Sequence, residues 1–325
     1  MNPATDPASR RWNRAYRGLF SPGRLTVGVF FPIEAFAGAF PTMRDQVRLA
    51  RRAEELGFSA LWFRDVPLLD PTFGDVGQVF DPWVYLAYIG AQTKRIALAT
   101  GAIVLPLRHP LHTAKAAASV NELTGGRLVL GVASGDRPIE YPAFGVDFEE
   151  RGARFRQSLD YIERALAETF PVIDSPLGRL DGADLVPKPA AGRIPVLVGG
   201  HSQQTIEWIA HHADGWLQYP RDVLTQQTRV HQWLTAVGAW KPFAQSLYID
   251  LTDEPDAPAR PIHLGFRLGR HRLIEHLRRL RAMGVNHVAL NLKYGRRPAG
   301  DVLEELGATV LPQLAEELAA PNVGT

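Results

Sequence analysis

Small and hydroxyl-bearing residues follow two short apolar runs of the sequence. The runs end in Val132-Ala133-Ser134-Gly135 and in Val198-Gly199-Gly200-His201-Ser202. Glycine leaves backbone N–H groups open to a ligand, and a serine hydroxyl before a helix adds a donor. The second segment therefore predicts an anion site, and phosphate is the obvious anion. An ordinary helix N-cap after a tight turn also explains these residues, so the sequence leaves both interpretations open.

A glycine-bearing segment nearer the C-terminus competes for the same role. Gly265-Phe266-Arg267-Leu268-Gly269-Arg270 precedes a helical pattern and follows the seventh of the strands predicted below. Phosphate is often held near this place in α/β barrels. The local sequence does not choose between the two segments.

Most other catalytic chemistry lacks its residues in this sequence. The chain contains no cysteine, which excludes a thiolate nucleophile, a cysteine zinc site and a cysteine-bound iron–sulfur cluster. GxxxxGK[ST], HExxH and GxSxG are absent as well. Two histidine pairs, His109 with His112 and His211 with His212, are interpreted as capping or surface residues, and no metal is predicted. A barrel hydrolase with ligands from several strands stays open as an alternative.

Eight short apolar runs alternate with eight helical patterns. The predicted strands are Thr26–Phe31, Ala60–Phe63, Ile96–Val104, Leu128–Ala133, Val196–Gly199, Gly215–Tyr219, Ser246–Leu251 and His287–Leu292. The predicted helices are Met43–Glu55, Trp83–Gln92, Pro110–Leu123, Phe148–Phe170, Thr205–Ala213, Val223–Val237, Arg270–Met283 and Asp301–Glu317. Near-continuous apolar strands are typical of parallel sheets buried on both faces. Eight β–α pairs predict a (β/α)8 TIM barrel.

The alternation also predicts the domain organisation. We expect residues 24–318 to form one barrel domain, preceded by an N-terminal extension over 1–23 and followed by a tail over 319–325. Two segments do not fit the alternation. Asp174–Arg193 predicts an excursion before the fifth strand, and Thr252–Leu268 predicts a long loop after the seventh.

Composition and charge restrict the partners and the location. Hydrophobic residues make up 46% and charged residues 22% of the chain, as in ordinary soluble globular proteins. A net charge of +2 predicts no nucleic-acid or membrane partner. The longest apolar runs fall short of the roughly 20 residues of a membrane span. Met1–Gly23 lacks the apolar region of a secretory signal. A cytoplasmic protein is therefore the expectation.

Three stretches of the sequence resemble one known family in their order and spacing. They are Leu98-Ala99-Thr100-Gly101 with Arg108-His109-Pro110; Gly125-Gly126-Arg127-Leu128 with Gly131-Val132-Ala133-Ser134-Gly135, Glu140, Ala143-Phe144-Gly145 and Arg151; and Val196-Leu197-Val198-Gly199-Gly200-His201-Ser202 with Thr205, Glu207-Trp208 and Ala213-Asp214-Gly215. From Leu25 to about Leu318 the chain is similar to the bacterial luciferase-like monooxygenases. Members of that family are flavin- or deazaflavin-dependent barrels.

The resemblance implies a cofactor site at the ends of the third, fourth and fifth strands. The residues it assigns to the cofactor are Thr100, Gly101, Ala102, Ser134, Arg151, Gly199, Gly200, His201, Ser202 and Thr205. The turn from Gly200 to Thr205 would hold the cofactor phosphate and Arg151 would neutralise it, which favours this turn over residues 265–270. A surface position on a long helix is the alternative for Arg151. A non-prolyl cis peptide near Gly101-Ala102 would support the ring.

The sequence departs from the family pattern at the end of the second strand. Many members carry an acidic residue and one or two histidines there, whereas this chain has Arg64-Asp65-Val66. Asp65 would act as a base or orient the ring, and Ser134 would lie on the phosphate side or the ring side. Alternatively, Arg64 and Asp65 form only an ion pair at the barrel rim.

The resemblance implies an FMN-dependent monooxygenase. Such an enzyme takes reduced FMN from a separate flavin reductase, reacts with O₂ and inserts one oxygen atom into a small organic substrate. One alternative is a dehydrogenase or reductase that transfers hydride with coenzyme F420, and another is a flavin-binding protein without turnover. FMN is preferred because the sequence shows no clear basic groove for a polyglutamate tail. Four arginines would form such a groove if they lay together: Arg267, Arg270, Arg296 and Arg297.

Substrate and partner contacts are expected outside the conserved strand ends of such barrels. The loops that would set the substrate include Ile33–Pro41 and Thr252–Leu268. Aromatic residues expected to keep the pocket dry are Phe31, Phe36, Trp62, Trp83 and Tyr141. A homodimer is common in the family. The segment Asn2–Phe20, rich in arginine and aromatic residues, is expected to dock on a partner subunit.

Overall fold

Eight parallel strands close into a barrel in the computed structural model, which describes residues 12–319. The strands are β1 (Thr26–Phe30), β2 (Ala60–Phe63), β3 (Ala97–Thr100), β4 (Ile103–Val104), β5 (Leu128–Ala133), β6 (Ile173–Ser175), β7 (Gly178–Leu180), β8 (Val196–Gly199), β9 (Gly215–Gln218), β10 (Phe243–Leu251), β11 (Arg260–Ile262), β12 (Gly265–Leu268) and β13 (His287–Asn291). The α-helices are α1 (Arg14–Leu19), α2 (Gln46–Glu55), α3 (Pro82–Gln92), α4 (Pro110–Leu123), α5 (Glu140–Ala143), α6 (Arg151–Ala167), α7 (Ile206–His212), α8 (Val223–Ala236), α9 (Arg270–Met283), α10 (Ala299–Glu305) and α11 (Leu311–Ala319). Within this described range no helix is both long and apolar enough to cross a membrane.

The barrel wall confirms the predicted (β/α)8 topology. Its strands follow the order β1, β2, β3, β5, β8, β9, β10 and β13, and β13 pairs with β1 to close the ring. At this seam Thr26 lies opposite His287 and Val27 lies opposite Val288. Because all eight pairings are parallel, the carboxyl ends of the strands meet at one end of the barrel. We call this end the mouth of the barrel.

The two irregular segments carry short strands of their own. The excursion before the fifth barrel strand begins with the β6–β7 hairpin. The long connection after the seventh strand contains β11 and β12, and β12 extends the sheet beside β10. β11 contains Pro261 and is largely exposed, so it lacks the apolar pattern by which the barrel strands were predicted. The last predicted helix is continuous but passes through a π-helical turn over Leu306–Val310.

The short helix α1 closes the end of the barrel opposite the mouth. Asn13 caps the helix by accepting a 3.1 Å hydrogen bond from the Tyr16 N–H, and it donates a 2.7 Å hydrogen bond to a carbonyl of β5. Tyr16, Leu19 and Phe20 are buried in one cluster with the inward side chains of the barrel strands. The expectation that this segment docks on a partner subunit is therefore wrong for Tyr16, and residues 2–11 lie outside the described residues.

A histidine and a tryptophan are paired in the barrel interior. Trp62 Nε1 donates a 2.9 Å hydrogen bond to His287 Nε2, and His287 Nδ1 lies 2.7 Å from Thr26 Oγ1. All three side chains are buried. Burial lowers the pKa of His287 to about 3, so the imidazole is neutral in the folded protein.

His287 is expected to make folding stability depend on pH. Its folded pKa of about 3 lies below the ordinary histidine value of 6.5, so the unfolded chain binds an extra proton between these pH values. The stabilisation is complete above pH 6.5 and declines as the pH falls, by up to about 1.4 kcal/mol per pH unit. Denaturant titrations between neutral and acidic pH measure this slope. In the variant His287→Gln the free energy of unfolding should vary less steeply with pH, by an amount that corresponds to the uptake of nearly one proton fewer on unfolding. An unchanged slope contradicts the prediction.

Candidate active site

The third barrel strand is interrupted at the mouth of the barrel. The predicted strand Ile96–Val104 forms β3 and β4, and the Gly101-Ala102 peptide between them is cis. This observation confirms the non-prolyl cis peptide that the family resemblance implies. Beyond the interruption β4 pairs with β5, with Ile103 opposite Val132. The interruption is therefore a bulge within the wall, which we call the cis bulge.

Aromatic rings support the cis bulge from inside the barrel. A methyl group on Gly101 would lie 3.0 Å from the Trp62 ring and 3.1 Å from the Phe30 ring, so glycine lets the backbone approach both rings. Phe30 and Trp62 are register partners on β1 and β2. Phe31, which we expected in the pocket, instead packs against Phe63 between the wall and the helices, so that prediction is wrong.

Small side chains form a floor over the third, fourth and fifth barrel strands. A methyl group on Gly199, at the end of β8, would lie 3.6 Å from the Cβ atoms of Ala102 and Ala133. These three residues and Gly101 are half-buried at the mouth of the barrel. The floor brings together three of the predicted site positions with Ala133, and its flat, small-residue surface suits a planar ring system.

The turn between β8 and α7 has an unusual backbone. Gly200, Ser202 and Gln203 have positive φ angles of 59°, 47° and 60°, a region that residues with a Cβ seldom adopt. Ser202 Oγ donates a 2.8 Å hydrogen bond to the Gly199 carbonyl and accepts a 3.1 Å hydrogen bond from the Ser134 N–H. Ser202 therefore fixes the turn to the end of β5. Its hydroxyl proton is used within the protein, whereas we expected it to face a ligand.

The N-terminal end of α6 packs against this turn. Gln204 donates a 2.9 Å hydrogen bond to the Gly152 carbonyl and accepts one of 2.9 Å from Arg156. Arg151 is the first residue of the helix, and its guanidinium lies 3.6 Å from the centre of the Phe148 ring and donates to the Phe148 carbonyl. A helix N-terminus beside a cation attracts an anion. The first turn of α6 thus lies beside the turn after β8, with Gly152 next to Gln203, while the Arg151 guanidinium contacts Phe148 and lies 3.8 Å from Glu149.

The remaining turn residues have partners that the sequence did not reveal. Thr205 caps α7 by accepting a 3.2 Å hydrogen bond from the Trp208 N–H. His201 is hydrogen-bonded to Arg229 of α8. Partial burial and the Arg229 charge lower the pKa of His201. At neutral pH the positive charge beside the turn is therefore carried by Arg229 rather than by His201.

Asp65 is held by groups from two other elements. Its carboxylate accepts hydrogen bonds of 2.7 and 2.8 Å from Arg108 and one of 3.0 Å from the Val104 N–H. Only 1% of the Asp65 side chain is exposed. Arg108 also donates a 2.9 Å hydrogen bond to Asp81, the N-cap of α3. This network connects three elements: the end of β2, the strand β4 that follows the cis bulge, and the start of α3.

Arg64 does not pair with Asp65, so that alternative interpretation is wrong. Arg64 forms two hydrogen bonds of 2.9 and 3.0 Å with Asp75, in the loop between β2 and α3. Lys293, which follows β13, lies 3.4 Å from the same carboxylate. Sequence reasoning missed Asp75 and Lys293 because only closure of the barrel brings them together.

The histidine pairs have structural contacts. His109 caps α4, with its Nδ1 accepting a 3.2 Å hydrogen bond from the Leu111 N–H. The His212 ring stacks on Trp208. Across residues 12–319 no three histidine or carboxylate side chains are gathered in a way that could hold a metal ion.

The fold and its mouth define the class of the protein. It is a (β/α)8 barrel whose small-residue floor, cis bulge and left-handed turn after β8 lie together at the carboxyl ends of neighbouring strands. Residues 25–233 match the model of the luciferase-like monooxygenase family, and the chain belongs to this family. Its members are oxidoreductases, and both flavin- and F420-dependent enzymes occur among the structural neighbours.

Comparisons with individual proteins agree with this assignment. A Mycobacterium tuberculosis protein described as uncharacterized is 32% identical over 233 residues, which span 66% of this chain and 82% of the relative. The monooxygenase RslO1 from Streptomyces bottropensis superposes with a TM-score of 0.75 at 19% identity, covering 89% of this chain and 99% of that structure. An F420-dependent secondary alcohol dehydrogenase gives a TM-score of 0.74 at 16% identity, with 90% and 99% covered. At these identities the two structures show the shared fold alone.

Proposed function

We propose that the protein is an FMN-dependent monooxygenase that oxygenates a small organic substrate, using reduced FMN from a separate flavin reductase. The observation that carries the proposal is the small-residue floor at the cis bulge, which lies beside the turn after β8. When bound, reduced FMN would supply the two electrons that reduce one oxygen atom of O₂ to water while the other enters the substrate.

The floor supports a flat ring at the mouth of the barrel. Gly101, Ala102, Ala133 and Gly199 present no side chain larger than a methyl group. Thr100 Oγ1 donates a 2.7 Å hydrogen bond to a carbonyl of β5, which fixes the strand just before the cis bulge. A planar cofactor on this floor would be backed by rigid strands, which is how protein groups orient a ring with accuracy.

The turn after β8 supports a phosphate. Its left-handed residues form the type of concave backbone arrangement in which N–H groups bind anions. Arg151 and the N-terminal end of α6 add positive potential. In this proposal Ser202 and Thr205 keep the turn in shape and His201 offers its backbone N–H group, whereas the Gly200 N–H is already bonded to the Leu217 carbonyl at 2.8 Å.

Asp65 and Ser134 are assigned different roles from this geometry. We propose Asp65 as a positioning residue, because its carboxylate is bound by Arg108 and by the Val104 N–H next to the cis bulge. The backbone of Ser134 is fixed by Ser202 on one side and by the Tyr141 hydroxyl on the other. Its own hydroxyl is then the group that would contact the cofactor.

The charge pattern at the rim supports FMN over the deazaflavin coenzyme. The four arginines that would bind a polyglutamate tail form two pairs, each around one carboxylate. Arg267 and Arg296 lie 3.7 and 3.4 Å from Asp250. The other two, Arg270 and Arg297, both pair with Glu305. Since these cations already have anionic partners, they are less able to hold further carboxylates.

The proposal is tested by binding titrations in parallel. Fluorescence quenching of the purified protein is followed against oxidised FMN, against reduced FMN under anaerobic conditions, and against coenzyme F420. Tight binding of reduced FMN, followed by substrate-dependent product in an NAD(P)H-coupled assay with a flavin reductase and O₂, is the expected result. Tighter binding of F420 than of FMN would contradict the proposal and indicate a dehydrogenase or reductase that transfers hydride without oxygen. If neither cofactor binds, the resemblance is one of fold only.

Removing the phosphate contacts is expected to weaken cofactor binding. The double variant Arg151→Ala with Ser202→Ala loses one cation and the hydroxyl that shapes the turn, and we expect the affinity for reduced FMN to fall by about 2–4 kcal/mol. Arg164→Ala is the matched control, because it lies on the same helix and pairs with Glu168. An unchanged affinity in the double variant would remove the proposed phosphate site.

A further inference from the structure

Two cations from separate strand ends bind one carboxylate at the mouth of the barrel, and a third holds the backbone of the same residue. Arg64 follows β2, Arg137 is in the segment after β5, and Lys293 follows β13. Arg64 binds both oxygens of Asp75, and Lys293 Nζ lies 3.4 Å from one of them. Arg137 donates a 3.0 Å hydrogen bond to the backbone carbonyl of Asp75. The Asp75 side chain is 13% exposed, so water screens these contacts only weakly.

Asp75 belongs to a loop and not to the barrel wall. Gly74 and Gly77 on either side of it have φ angles of 58° and 60°, which glycine adopts without strain. The Gly74 carbonyl accepts a 3.1 Å hydrogen bond from Lys293 Nζ. The Gly77 N–H also donates a 2.9 Å hydrogen bond to Asp75 Oδ1, so withdrawal of the carboxylate breaks this bond together with its contacts to Arg64 and Lys293.

A tyrosine on the barrel wall completes a set of donors. Tyr248 on β10 lies close enough to Arg64 and Asp75 for their charges to act on its hydroxyl. Burial raises the pKa of Tyr248 to about 12, so this hydroxyl keeps its proton at neutral pH. Arg64, Lys293 and Tyr248 therefore offer hydrogen-bond donors to an anion.

A groove on the protein surface reaches one of these donors, Lys293. It has a volume of about 880 Å³ and lies between residues 33–38 and residues 293–300. Lys293 belongs both to the groove wall and to the cation cluster, and its Nζ lies 4.7 Å from the centre of the Phe36 ring. Arg44 and Arg48 also line the groove. Its volume is within the range of small-molecule binding sites, and its cations favour an anionic ligand.

We propose that Arg64 and Lys293 form a subsite for a carboxylate group of the substrate, and that Asp75 occupies this subsite until the substrate displaces it. Exchange of one carboxylate for another keeps the buried cations paired, so the penalty for an uncompensated charge does not arise. The substrate of the proposed monooxygenase is accordingly an organic anion. The inference rests on the proposed function for the fate of that substrate, whereas its binding requires no flavin.

Binding of a matched pair of probes to the flavin-free protein tests the subsite. The probes are 4-fluorobenzoate and the neutral 4-fluorobenzamide, followed by ¹⁹F NMR line broadening. We expect the benzoate to bind at least about tenfold more tightly than the benzamide, and raised salt to weaken it. Asp75→Asn removes the internal competitor and should strengthen benzoate binding about tenfold, a gain that misfolding cannot produce.

Three further variants locate the binding. Arg64→Gln should weaken benzoate binding about tenfold. Arg52→Gln, at an exposed arginine paired with Glu304, should leave it unchanged. Arg151→Ala should also leave it unchanged, which separates the subsite from the proposed phosphate turn. Any of three outcomes would overturn the inference. The two probes bind equally, neither probe binds, or the benzoate affinity is changed by neither Arg64→Gln nor Asp75→Asn. The cation cluster would then serve only to hold the loop. Because no flavin is present, failure here is distinct from failure of the FMN titration.

Discussion

Gly131→Ala is expected to destabilise the protein by at least about 4 kcal/mol. A methyl group on Gly131 would lie 1.9 Å from the Thr100 carbonyl oxygen, far inside van der Waals contact. Relief would require β3 to separate from β5 or the Thr100 carbonyl to rotate. Both strands are buried in the wall, and Thr100 directly precedes the cis bulge. Chains that remain folded should therefore also lose flavin affinity.

Urea unfolding of the purified variant measures this effect. The matched control is Gly18→Ala on α1, where no atom lies within 4 Å of the added methyl group. Alanine favours a helix by about 0.5–1 kcal/mol over glycine, so the control should be neutral or slightly more stable than the parent. A Gly131→Ala protein that unfolds at the parental urea concentration and binds flavin normally would show that the wall at Thr100 is more adaptable than we infer.

Arg108→Gln is expected to lower the free energy of unfolding by about 3 kcal/mol. The substitution removes both hydrogen bonds of the Arg108 fork to Asp65, whose side chain is 1% exposed, and leaves that carboxylate with the Val104 N–H. It also releases Asp81 at the start of α3. Denaturant unfolding gives the stability, and a flavin titration reports whether the cis bulge has shifted.

A second substitution separates charge from packing. Adding Asp65→Asn to Arg108→Gln removes the unpaired buried charge, so the double variant should be more stable than Arg108→Gln alone. For comparison, Arg179→Gln breaks an exposed pair with Asp181 and should change stability by less than about 1 kcal/mol. If Arg108→Gln and Arg179→Gln have equal effects, the network around Asp65 does not stabilise the mouth as proposed.

The sequence alone predicts the barrel because its periodicity is strong. Each wall strand is a nearly unbroken apolar run, and the helices between them have regular spacing. The cis bulge was predicted only through the resemblance, since Gly101-Ala102 looks locally like an ordinary turn. The residues Gly199 to Ser202 indicated an anion site but left an ordinary helix N-cap open, and the resemblance favoured the anion site. The structure brings these segments together because they end neighbouring strands.

The side-chain partners could not be predicted because they depend on closure of the barrel. Asp65 follows an arginine in the sequence, which suggested an adjacent ion pair, but neighbouring residues of a strand point to opposite faces. Arg64 accordingly faces inward to Asp75 and Lys293, while Asp65 reaches Arg108. The short strand β11 was missed because Arg260 to Ile262 contains a proline and little apolar sequence, and β12 was missed because Gly265 to Leu268 is only four residues long and includes a glycine and an arginine.

The seam between β1 and β13 has a consequence for the synthesis of the protein on the ribosome. Among the wall strands β1 is synthesised first and its partner β13 last. The pairing of Thr26 with His287 therefore cannot form until most of the chain has been translated. Until then the nascent chain is an open sheet whose first strand has an unpaired edge, a template for pairing with other chains. Long-range closure of this kind is slow. Slower growth, a lower temperature and an ample supply of chaperones are therefore the conditions under which soluble protein should accumulate.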